Sequence, residues 1–253
     1  MSKEKNLGGN VVTEKKNVNK KAVIVVLAVT LVAIIAGITV LSLYLGGVFE
    51  KDVATLYKKN AKTPGFYKYY VDGGELPGTY ATMTFEYKGE EFRVDIYLLK
   101  DLAPITVNNF IAYADSGFYD GTVIHRIVTS TFTFQGGGYT YYEGGYKVKT
   151  ATHDPIVGEF VNNGDKYSYN NISHFAGSIS MARTTVKDSA TSQWFISYED
   201  YTGWDGDYAA FGFIVNGEGV QKIKEIAIGA EMGTNGYPKD VITLKKVTIE
   251  ERK

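Results

Sequence analysis

The sequence predicts a mainly β domain, a closed antiparallel barrel with two α-helices covering its ends, preceded by one transmembrane helix. Three observations predict it. An unbroken apolar stretch near the start is long enough to span a bilayer. The remainder is a series of short runs with period-two alternation, set between glycine turns. Within it, two stretches carry the i, i+3, i+4 apolar spacing of an amphipathic helix. Closure follows because a closed sheet leaves no exposed edge.

From Ala22 to Phe49 no residue is charged. As a helix, residues 22–45 measure roughly 36 Å at about 1.5 Å per residue, against a hydrocarbon core of ~30 Å. Six lysines and two glutamates give the tail 1–21 a charge of +4, leaving −5 for the rest of a chain whose total is −1. Lysine and arginine stay on the cytoplasmic side, so the tail is expected inside and the large domain outside, as a single-pass protein of the cell membrane. A cleaved signal peptide is the competing reading. The apolar run exceeds the usual h-region, and no good A-x-A site follows it. Residues 46–79 read as a stalk, with turns at Pro64-Gly65, Asp72-Gly73-Gly74 and Pro77-Gly78.

The folded domain is expected over 80–253. Ala81, Met83, Phe85 and Tyr87 alternate with Thr82, Thr84 and Glu86. After the Lys88-Gly89 turn, Phe92, Val94, Ile96 and Leu98 alternate with Arg93, Asp95 and Tyr97. That pattern is a hairpin with one buried face. Pro104 and Thr106 introduce a helix whose stripe is Val107, Phe110, Ile111 and Ala114, with Gly117 as its left-handed terminator. Strands follow over Thr122–Ile127, Phe132–Gln135, Gly177–Ala182, Trp194–Ser197 and Ala210–Val215. A second helical stripe runs through Val220, Ile223 and Ile226 or Ala227, and the last strand is Val241–Ile249.

Composition narrows the chemistry. With 44% hydrophobic and 22% charged residues the chain is globular rather than disordered. A net charge of −1 argues against a nucleic-acid partner. There is no Cys, which removes disulfides, thiolate metal sites and thiol nucleophiles together. Tyr 20 and Gly 28 against Pro 5 favour strands and turns. The only histidines are His125, His153 and His174, and neither H-E-x-x-H nor G-x-S-x-G occurs. His153 beside Asp154 reads as a solvated loop pair, and Gly136-Gly137-Gly138 lacks the spacing of a phosphate loop.

One ordered set of segments is informative: FYDGTVIHRIV, TFQGGGY, GEFVNNG, GSISMARTTVKDSATSQWFIS and DYAAFGFIVNGEGVQKI. In order and spacing, from about Ala81 to Ile249, this set resembles the cyclophilin-type peptidyl-prolyl cis–trans isomerases, specifically the bacterial ones. The resemblance implies a closed eight-stranded barrel capped by two helices, and isomerisation of X-Pro bonds with no metal or organic cofactor. An X-Pro bond prefers trans by only ~0.5–1 kcal/mol, yet amide resonance sets a barrier of ~18–20 kcal/mol. A catalyst need only favour the twisted amide, whose pyramidal nitrogen accepts a hydrogen bond from a fixed arginine.

By this resemblance Arg126 is that arginine, preceded by His125. Phe132 and Phe195 are walls of the proline pocket, and Thr133 takes the place of a methionine in it. Gln135 and Gln193 bind the substrate backbone and position Arg126. Ala182 lies under the residues N-terminal to the proline. Trp204 rims the groove, and Tyr208 occupies a position that is His or Tyr among members. The sequence departs from the family in two loops. Arg126 to Gln135 is one residue longer, because Val128-Thr129-Ser130-Thr131 replaces a shorter link, and Trp204 to Tyr208 is one residue shorter. Trp194 also replaces the common Phe beside Phe195. The implied partners are proline-containing polypeptides, the membrane through residues 22–45, and a cyclosporin-like ligand at Trp204. Two other functions fit the same barrel: a non-catalytic proline-peptide-binding or chaperone module, and a scaffold presenting the Tyr-rich insert Tyr139–Tyr146.

Overall fold

The computed structural model describes residues 77–164, 170, 172–233 and 236–253. The basic tail, the anchor expected over 22–45 and nearly all of the stalk lie outside the described residues. Among the described residues no helix is long and apolar enough to cross a membrane.

The alternation at the start of the domain forms the expected hairpin, β1 (Gly78–Tyr87) and β2 (Glu90–Leu98), paired antiparallel from Tyr80↔Tyr97 to Tyr87↔Glu90. Its turn needs positive φ, and both Lys88 (53°) and Gly89 (81°) adopt it. Strand β1 begins at Gly78, so the domain starts slightly before the stalk boundary drawn from the sequence. Helix α1 (Pro104–Asp115) opens with Pro in its first turn. Its first free N–H groups, those of Ile105 and Thr106, donate to the two carboxylate oxygens of buried Glu159 at 3.1 and 2.7 Å. It ends as anticipated at Gly117, φ +68°. Gly117 N–H bonds the Ala114 carbonyl and Phe118 N–H bonds that of Tyr113, while the Phe118 and Tyr113 rings lie 4.7 Å apart. That is a Schellman motif with its hydrophobic contact.

The remaining elements are β3 (Thr122–Val123), β4 (Arg126–Val128), β5 (Thr133–Gly136), β6 (Tyr139–Tyr142), β7 (Gly145–Val148), β8 (Ser178–Met181), β9 (Trp194–Ser197), β10 (Ala210–Ile214), α2 (Gly217–Gly229) and β11 (Ile242–Arg252). They form one eleven-stranded sheet in the order β4-β5-β9-β8-β10-β2-β1-β11-β3-β6-β7. This corrects the expected closed ladder of eight. The strand expected over Thr122–Ile127 is split, because Ile124 N–H turns to the Ile242 carbonyl and His125 N–H to that of Gln135. The Tyr-rich insert adds a hairpin of its own, β6–β7. The ladder therefore ends at β4 on one side and β7 on the other.

Most inward residues pack into one core that includes Met83, Phe85, Ile96, Phe134, Trp194 and Ile196, with Val107 and Phe110 of α1 and Ile223 and Ile226 of α2 laid against it. A second cluster, including Tyr80, Tyr97, Leu102, Ile172 and Phe213, covers the opposite face of the hairpin.

Candidate active site

Strand register builds the site. Cα partners run Arg126↔Gln135 between β4 and β5, Gln135↔Phe195 between β5 and β9, and Ser180↔Phe195 between β8 and β9. Arg126, Gln135, Phe195 and Ser180 thus stand in one row across four adjacent strands. Side chains alternate across a sheet. Ile127, Phe134, Trp194, Ile196 and Ile179 point into the core, so this row faces outward. Thr133, two residues before Gln135, shares that face.

The row is held by a polar chain. Exposed Arg126 donates from Nη1 to Gln135 Oε1 at 3.1 Å, and Gln135 Nε2 donates to Gln193 Oε1 at 3.0 Å. Gln193 lies next to the His125 imidazole. Burial pushes the His125 imidazole down to about 4, against hydrogen bonds with the Val123 main chain and Gln193 and with help from the Arg126 charge. His125 is thus neutral at pH 7, stacked at 4.1 Å on Tyr139.

The triple glycine makes room for this chain. At Gly137 (φ +81°) a Cβ would sit 2.7 Å from the Ser192 carbonyl and from Trp194 Nε1. At Gly138 it would sit 2.4 Å from Gln193 Cγ. The motif is a packing device for Gln193 and Trp194.

Beside Phe195 of the row, the 3₁₀ turn Thr202–Trp204 and the residues after it carry an aromatic wall. The Trp204 ring lies 6.2 Å from Phe195 and 5.0 Å from Tyr208, and Phe195 lies 5.4 Å from Tyr208. Between wall and row is a cavity of about 290 Å³. Arg126, Gln135 and Phe195 of the row line it together with Thr133, Ala182, Trp204 and Tyr208. Arg183 completes the lining and was not singled out from the sequence.

The wall is pinned from behind. Asp205 accepts from Ser173 Oγ (2.8 Å), His174 N–H (2.8 Å) and His174 Nδ1 (3.1 Å). His174 Nε2 lies 2.8 Å from Ser180 Oγ, and its ring stacks on Phe195 at 5.9 Å and 8°. Burial pushes the His174 imidazole down. Burial alone would raise the Asp205 carboxyl, but the bonds from His174 and Ser173 hold it below the ordinary carboxylate value. The pair is therefore a neutral imidazole donating to a carboxylate. The line Ser180–His174–Asp205 has the order of a hydrolytic triad, yet Ser180 is 0% exposed within β8, so no substrate reaches it. It props Phe195 and ties down the Trp204 turn.

Eight of the ten residues named from the sequence thus border the cavity or hold a residue that does, Gln193 through Gln135. Two stand elsewhere. Phe132 does not border the cavity, because the longer link winds through a 3₁₀ turn, Thr129–Thr131, and leaves Phe132 left-handed at φ 49°. Its ring instead meets Tyr198 at 5.8 Å and Tyr201 at 6.2 Å. His125 lies behind Gln193 rather than on the cavity surface. His153 packs on Tyr113, ring centroids 4.5 Å apart.

Known proteins resemble this chain. The family model for cyclophilin type peptidyl-prolyl cis-trans isomerase/CLD matches residues 82–251. Peptidyl-prolyl cis-trans isomerase B of Escherichia coli is 38% identical over 160 residues, 60% of this chain and 90% of that one. Peptidyl-prolyl cis-trans isomerase A of Dickeya dadantii is 39% identical over 162 residues, 63% of this chain and 78% of that one. A solved Cryptosporidium parvum cyclophilin type isomerase, crystallised in the presence of the dipeptide Ala-Pro, shares the fold at TM-score 0.52 and 20% identity, covering 68% of this chain and 99% of that one. With a family match over residues 82–251, the chain belongs to the cyclophilin-type peptidyl-prolyl cis–trans isomerases.

Proposed function

We propose that the protein turns X-Pro bonds of exported polypeptides by non-covalent stabilisation of the twisted amide. The prolyl ring fills the space beside Phe195, Trp204 and Tyr208 and leaves water behind. Arg126 then donates to the prolyl nitrogen only once that nitrogen has become pyramidal, so the bond is made in the transition state and not before it. One observation carries this reading: the Arg126 guanidinium, held by Gln135, borders the same cavity as the Phe195, Trp204 and Tyr208 rings. The Ala-Pro dipeptide present with the Cryptosporidium parvum relative has the matching chemistry. Trp204 borders the same space, the basis for expecting a cyclosporin-like ligand to compete there. The N-terminal segment 22–45 holds this domain on the outer side of the cell membrane, where slow proline isomerisation limits the folding of secreted chains.

The test is an isomerisation assay on the full-length chain and its Arg126→Ala variant. A charge-assisted hydrogen bond is worth about 1.5–3 kcal/mol, so kcat/KM is expected to fall about 10–150-fold. A wild type no faster than background removes the isomerase reading. Undiminished activity in Arg126→Ala removes the mechanism.

The turned-away Phe132 favours that second reading to a degree, since it deprives the pocket of one aromatic wall. Binding of an X-Pro peptide without acceleration is its signature.

A further inference from the structure

Two charged residues border the cavity, and both are arginines. Arg126 is engaged by the proposed reaction, but Arg183 is not. Its Nε and Nη2 donate to the Asp207 carbonyl at 3.1 and 2.8 Å, and its Nη1 to the Thr184 carbonyl at 2.9 Å. Its guanidinium lies 4.6 Å over the Tyr208 ring and 5.2 Å over the Phe160 ring. Among the described residues no carboxylate pairs with it. The Asp207 carboxylate is turned to Asn162 Nδ2 at 2.8 Å. Arginine carries five N–H donors. Three go to neutral main-chain acceptors, so two donors and the whole unit charge remain. The side chain is already ordered, so binding an anion there costs little further conformational entropy.

We infer that the groove selects X-Pro segments carrying a carboxylate, Asp or Glu, within two residues before the proline, and that Arg183 reads it. The inference rests on the isomerase reading of the same cavity. The N-terminal side is assigned because Arg183 follows Ala182, which by the family resemblance lies under the residues N-terminal to the proline. The selection is local, since a chain of net charge −1 exerts no general pull on anions.

The experiment uses the full-length chain and short peptides identical except for one residue: Glu, Gln or Lys at the first or second position before proline, and Glu after it as control. Rates come from exchange NMR and affinities from chemical-shift titration. At one of the two leading positions Glu should exceed Gln by about 3–5-fold in kcat/KM at low salt, the scale of one half-exposed ion pair. Lys should fall below Gln, and the preference should shrink at about 0.5 M salt. Arg183→Gln should bring the Glu/Gln ratio to about one. A residue that merely braces the Tyr208 turn would shift all peptides together and leave the ratio unmoved. A wild-type ratio under about 2 at both positions, or a ratio that survives Arg183→Gln, overturns the inference. If no peptide is turned over, the isomerase reading fails, and the same Glu/Gln ratio read in affinity still decides this one.

Discussion

A methyl group added at Gly138 tests how the site is aimed. The alanine Cβ would fall 2.4 Å from Gln193 Cγ, 2.7 Å from its Cδ and 2.7 Å from its Nε2. All three clashes are with one side chain, so Gln193 must swing aside and give up its bond to Gln135. Overpacking of this kind costs about 1–3 kcal/mol. For a domain of this size that lowers Tm by roughly 2–12 °C. The freed Gln135 no longer fixes Arg126, and losing one such bond predicts a fall in kcat/KM of about 3–10-fold. In a Gln193→Ala background the clashing atoms are gone, so the same substitution should cost almost nothing. A double-mutant cycle read by denaturant melts should give a coupling of about 1–3 kcal/mol, with the double variant no less stable than Gln193→Ala alone. Additivity within ~0.5 kcal/mol would refute the claim that Gly138 is there for Gln193.

The depressed His125 imidazole gives a pH signature. Its folded value, about 4, lies below the ordinary 6.5, so the unfolded chain takes the proton first. That contribution to stability is complete above pH 6.5 and is lost as pH falls from there through about 4. Urea melts at pH 7.5 and 4.5 should show a smaller loss for His125→Gln than for wild type, and equal losses would remove His125 as the cause. Asp205→Ala strips the Trp204 turn of its three hydrogen bonds and leaves His174 buried without its partner. It should lower stability by about 2–4 kcal/mol in a melt, and a drop under ~0.5 kcal/mol would contradict the pinning role. Trp204 borders the cavity while Trp194 is fully buried. Emission should therefore respond to an X-Pro peptide in wild type and not in Trp204→Phe. Phe132→Ala should reduce stability through the lost Tyr198 and Tyr201 contacts yet leave kcat/KM within about 3-fold, whereas Phe195→Ala should depress it by about 10-fold or more.

Alternation made the sheet readable. Met83, Phe85, Val94 and Ile96 are buried where period two puts them, and Val107, Phe110 and Ala114 line the core face of α1. Two kinds of feature escaped. Tyr80 and Tyr97 break the pattern because a second cluster covers their face, which depends on residues more than a hundred positions away. Glu159 caps a helix from some fifty residues downstream. At the site, strand residues came out where expected, because register carries Arg126, Gln135 and Phe195 into one row. Phe132 did not, because one added residue in the preceding link rotates its side chain away from the row. Arg183 was passed over because nothing local marks it; its importance lies in what surrounds it.

The lining of the cavity holds no carboxylate, imidazole, amine or thiol. Guanidinium and amide groups neither gain nor lose a proton across the physiological pH range. With no sulfur in the lining to oxidise, a swing in redox potential leaves its guanidinium and amide groups as they were.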